Sequence, residues 1–140
     1  MALAGAGNPV GGSNPTGTGS GLNYIGAGVW AGWSGAKVLN NNTVTFFEFS
    51  TGTTPLKVIL EWYLEITGNV STSKNFNFVL TINGEVIINN GGRSGQTHTF
   101  YDVDPMHIIF PASSTIKVES TTTNTADVTT TSIITAVEIV

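Results

Sequence analysis

The chain has 140 residues, enough for one domain with its own core, and only 10% of them are charged against roughly 25% in ordinary soluble domains. It contains no cysteine, which excludes disulfides and thiolate metal sites. The net charge of −4 argues against nucleic acid as a partner, and no apolar run is long enough to cross a membrane as a helix.

The chain opens with "MALAGAGNPVGGSNPTGTGSGLNYIGAGVWAGWSGA", in which no side chain is charged; the first charge is Lys37. Glycine recurs throughout, with Pro9 and Pro15 between. No basic n-region precedes an apolar h-region, so a secretory leader is not expected here. The opening residues are too poor in bulky side chains to offset their backbone entropy by burial. The expected organisation is an N-terminal arm over 1–24 followed by a β-sandwich domain over 25–140. Two readings of the arm compete: a loose terminus, or a strap laid along a neighbouring subunit. The lack of charge favours the strap, because charges buried between subunits would be costly to desolvate.

The body follows a period of two. "AGVWAGWSG" reads as a strand with small residues at a close approach. "TVTFFEFS" sets Val44, Phe46 and Glu48 against Thr45, Phe47 and Phe49. "KVILEWYLEI" places Val58, Leu60, Trp62, Leu64 and Ile66 on one face and Lys57, Ile59, Glu61, Tyr63 and Glu65 on the other. "FNFVLTI" points Phe76, Phe78, Leu80 and Ile82 one way and runs through Asn83-Gly84 into "EVIIN", a hairpin signal. "NNGGRSGQ" reads as a glycine-rich loop carrying Arg93, the single arginine of the chain. "MHIIF" stops at Pro111, "STIKVES" turns Ile116 and Val118 inward, and "VTTTSIITAVEIV" closes the chain on β-branched residues. Eight or nine strands and no helix predict an all-β protein. The expected architecture is an antiparallel β-sandwich of jelly-roll type with a Gly-rich N-terminal arm. An immunoglobulin-like sandwich is the alternative, although its Cys-Trp-Cys core is absent.

Catalytic constellations are thin. "THTFYDVDPMH" gathers His98, Asp102, Asp104 and His107, a set able to ligate a divalent cation; on a strand, His98, Asp102 and Asp104 would share a face. An Asp-x-Asp before proline is equally common turn chemistry. No nucleophile elbow accompanies the two histidines. Glu61 and Glu65, about 13 Å apart on one strand, are too distant for a glycosidase pair. The glycine-rich loop lacks the following helix of a phosphate cradle. The expectation is no enzyme, no cofactor and no metal. Tyr24, Trp30 and Trp33, between arm and body, either pin the arm, fill an intersubunit contact or stack on sugars.

"NPVGGSNPTGTGSGLNYIGAGVWAGWSG" and "IIFPASSTIKVES" resemble small β-structured virion proteins of tailed phages, especially those of marine and cyanobacterial phages. The resemblance implies a capsid decoration or cement protein on the outside of the head shell. It further implies a homotrimer that clamps neighbouring subunits of the major capsid protein, without nucleic-acid or membrane contacts. The interface residues expected are Asn8, Pro9, Asn14, Pro15, Tyr24, Trp30, Trp33 and Arg93. The second expectation is a carbohydrate-binding tip domain of a tail fibre or spike.

Overall fold

A computed structural model describes residues 21–66, 74–94, 100–122 and 128–140; at 66, 74–75, 92–94 and 100–104 the backbone alone is described. Among the described residues there is no helix. The strands, in chain order, are β1 (Asn23–Gly26), β2 (Val29–Trp33), β3 (Lys37–Leu39), β4 (Thr43–Ser50), β5 (Leu56–Ile66), β6 (Lys74–Ile82), β7 (Glu85–Ser94), β8 (Phe100–Phe110), β9 (Thr115–Thr121) and β10 (Val128–Glu138). They form two antiparallel sheets. The larger runs β1-β2-β10-β5-β8, with β3 pairing β10; the smaller runs β4-β9-β6-β7.

Period-two alternation places the core between the sheets. Leu56, Val58, Leu60, Trp62 and Leu64 of β5 are buried, as are Phe76, Phe78 and Leu80 of β6 and Ile116 and Val118 of β9. Trp62 stacks on Phe78 across the gap, with ring centroids 5.3 Å apart and planes 21° from parallel. Phe49 of β4 meets Phe110 of β8 at 6.2 Å. Each such side chain contributes roughly 1.5–3 kcal/mol by leaving water. The expected hairpin is present: Asn83 and Gly84 take φ of 51° and 81°, positive at both turn positions.

Two local expectations are corrected and one open alternative is decided. In β4 strict alternation separates Phe46 from Phe47, yet both are fully buried. The register slips between Thr45 and Phe47, so Phe46 is an extra residue that bends the strand and turns both rings inward. "NNGGRS" is not a loop but the second half of β7, registered residue by residue on β6. Gly91 stands opposite Asn77, whose Oδ1 would lie 3.2 Å from a Cβ there. Glycine here serves close approach within a strand. For "YDVDPM", where strand and turn were both open, the strand holds and continues β8. Its register on β5 slips between Leu60 and Trp62, which accommodates Pro105 at a bulge on an edge strand.

Candidate assembly surface

The β1–β2 corner is held by its own backbone. Gly26, Ala27 and Gly28 all take positive φ, at 134°, 53° and 76°. The Gly28 amide donates to the Tyr24 hydroxyl at 3.0 Å, and the Glu138 amide donates to the Gly28 carbonyl at 2.8 Å. Trp30 Nε1 donates to Glu138 Oε2 at 2.9 Å, and the Tyr24 and Trp30 rings lie 4.8 Å apart. Of the aromatics Tyr24, Trp30 and Trp33, the fold buries Trp30 alone. Only 3% exposed, it belongs to the core of its own subunit, because on β2 it shares the inward side with Gly32. Trp33 and Tyr24 are exposed, at 67% and 49%. Leu22, just before β1, is buried against the strand pair.

The outer face of the larger sheet is built by cross-strand pairs. Trp33 stands beside Ile133, which stands beside Glu61. In the next row Ala31, Thr135, Ile59 and His107 follow one another across β2, β10, β5 and β8. Beyond them lie Val29, Val137, Lys57 and Ile109. Toward the other end of the face, Thr131 pairs with Tyr63, and Val38 and Glu65 flank Thr129. Trp33, Val38, Ile59, Ile109 and Val137 are all exposed. The Tyr63 hydroxyl donates to Glu61 Oε2 at 2.7 Å.

The outer face of the smaller sheet is polar and charged over β4 and β9, while Val86 and Ile87 are exposed on its edge strand β7. Thr45 and Val79 flank Glu119, and Glu48 and Thr81 flank Lys117. Lys117 and Glu119 form an ion pair at 3.5 Å. Their partial exposure limits such a pair to a few tenths of a kcal/mol up to about 1.

Of the residues weighed as candidate metal ligands, the backbone of Asp102 pairs with Tyr63, Asp104 sits by the β8 bulge, and His107 is exposed beside Ile59; His98 lies outside the described residues. Among the described residues no group of three or more His, Asp or Glu gathers as a cation site would require. Arg93 lies opposite Asn75 at the end of β7, away from the β1–β2 corner; its side chain is not described. Asn8, Pro9, Asn14 and Pro15 lie outside the described residues.

No protein-family model matches the sequence, and no curated protein matches it. Solved structures do match. A chain of infectious bursal disease virus, Gx strain, superposes with a TM-score of 0.50 at 13% identity, covering 79% of this chain and 32% of that one. A chain of the T=1 particles derived from infectious bursal virus gives 0.50 at 16% identity, covering 79% and 31%. Dimeric latent PorU of Porphyromonas gingivalis gives 0.46 at 14%, covering 90% and 14%. The chain thus spans about a third of the viral chains it matches. At these identities the likeness is one of fold.

Ile59 and Tyr63 are marked as outward by the period of β5 alone. Trp33, Ile133, Val137, Ile109 and Val38 join them only through pairings between strands distant in sequence. A partial signal was available: apolar residues at the solvent-side positions of two or more strands are unusual in a sheet with a wet face.

Proposed function

We propose that the chain is a virion structural protein, and within that class a capsid decoration or cement protein bound to the outside of a head shell. The observation that carries this reading is the strand order. Strands β2/β3-β10-β5-β8 oppose β4-β9-β6-β7, which we read as two interleaved Greek keys, a jelly roll of the kind viral capsid domains use. The fold likeness to chains of virus particles supports the same class. A chain with 10% charged residues also suits packing against other protein surfaces.

In this reading the work is mechanical and needs no catalytic residue or cofactor. The sandwich rests on subunits of the major capsid protein, residues 1–20 act as a strap ahead of Leu22 and β1, which belong to the sandwich, and copies associate as a homotrimer. Several weak contacts made at once then give tight capture. The test adds purified protein to shells that lack it and measures co-sedimentation and heat resistance of the shells. Saturable binding that raises heat resistance is expected.

A second reading is favoured by the exposure of Trp33, since sugars stack on such indole faces. It makes the chain a carbohydrate-binding tip of a tail fibre or spike. Failure to bind shells together with retention on immobilised glycans would establish it over the first.

A further inference from the structure

We propose that the outer face of the larger sheet is covered by a second copy of this chain. The inference deepens the self-association in the reading above but does not depend on a shell. An antiparallel sheet with one wet face alternates apolar-in and polar-out. The smaller sheet obeys this over its centre, with Glu48, Lys117 and Glu119 among its outward residues, and its exposed Val86 and Ile87 are confined to the β7 edge beside the turn. The larger sheet does not. Trp33 and Ile133 lie side by side, Ile59 follows in the next row, and Val137 and Ile109 occupy the row after that.

The size of the face fits a stable contact. Four strands about 4.8 Å apart and five rows about 7 Å apart span roughly 600 Å² before side-chain relief is counted. That approaches the about 800 Å² per partner of a standard interface. The distribution of charge fits as well. Interface centres are depleted in charge and carry it at the rim. Lys57 and Glu65 lie in the outermost rows of β5, and Glu61, the carboxylate nearest the middle, accepts the Tyr63 hydroxyl.

A second copy suits the face better than a capsid subunit met only at assembly. A partner that arrives late would leave this apolar surface in water beforehand, and such surfaces are aggregation liabilities. A copy of the same chain is present from synthesis and covers the face permanently. The low charge of each copy keeps mutual repulsion weak.

The experiment compares three full-length proteins: wild type, Ile59→Asp, and Val79→Asp as a control on the smaller sheet's outer face. Light scattering gives the mass across micromolar concentrations, and circular dichroism checks that each variant keeps its β-structure. Acrylamide quenching adds a local readout. Within one subunit Trp30 and Trp62 are buried and Trp33 is exposed, so assembly should shield the one accessible indole.

Wild type is expected to be oligomeric with its tryptophans protected. Ile59→Asp should weaken association by roughly 30-fold or more, the scale of an interface hot spot, and make Trp33 quenchable. Val79→Asp should match wild type. A monomeric wild type, an Ile59→Asp variant that assembles normally, or equal dissociation of both variants would each overturn the proposal. Three copies would also support the homotrimer; two would support this face while contradicting the trimer. A protein that self-associates by this face yet ignores shells leaves this proposal standing and overturns the capsid reading. A monomer that binds shells does the reverse.

Discussion

Trp62 Nε1 donates to the Thr130 hydroxyl at 2.7 Å, and Thr130 passes its own hydrogen to the Tyr63 carbonyl at 3.0 Å. This relay lets a buried strand of the larger sheet carry a threonine inward: both Trp62 and Thr130 are buried, and the hydroxyl serves as donor and acceptor at once. Thr130→Val keeps the shape but removes the acceptor. A cost of about 1–3 kcal/mol in urea unfolding is expected, because the indole loses a hydrogen bond it made away from water. Thr130→Ser keeps the hydroxyl and should recover most of that loss.

Gly32 is set by space. A Cβ there would lie 2.8 Å from both Leu22 Cδ2 and Phe47 Cε1. Gly32→Ala must displace side chains at the junction of the sheets, so a loss of about 1–3 kcal/mol is expected. Calorimetry checks it: a melting temperature equal to wild type would show that the junction has slack.

Asn83 combines two roles that substitutions can separate. Its positive φ forms the β6–β7 turn, while its Oδ1 accepts from the Thr115 amide at 2.9 Å and its Nδ2 donates to Ser114 Oγ at 3.2 Å. Asn83→Gly keeps the turn and loses the side-chain bonds, which should cost about 1–2 kcal/mol. Asn83→Ala should cost about 1 kcal/mol more, because alanine resists that backbone region. Chemical denaturation of the two variants in parallel gives the comparison.

Local sequence was sufficient where a strand sets its own two faces. Alternation on β5, β6 and β9, and the Asn83-Gly84 turn, follow from local residue chemistry. It failed where a partner strand decides the outcome. The bulge at Phe46 depends on Val118 and Glu119 of β9, and Gly91 sits in a strand because of Asn77 on β6. Pro105 is tolerated because, among the described residues, β8 has a strand neighbour on one side only. The apolar outer face was half legible for the same reason, since its rows join residues from both ends of the chain.

Truncation separates strap from body. Leu22 packs into the core and β1 pairs β2, so a chain beginning at Gly21 keeps every buried contact described above. Its melting temperature should stay close to that of the whole chain, while its binding to shells falls sharply. A chain beginning at Ala27 loses Leu22 and β1. It should lose about 2–5 kcal/mol, the usual cost of deleting a buried leucine. If the Gly21 form binds shells as tightly as the whole chain, residues 1–20 contribute no strap.

Imaging virions prepared with and without this chain tests the decoration role most directly. The expected difference density is a two-sheet sandwich on the outer surface of the head, touching neighbouring capsid subunits and absent from otherwise intact shells when the chain is missing. Density confined to the tail, or no difference at the head surface, would contradict it.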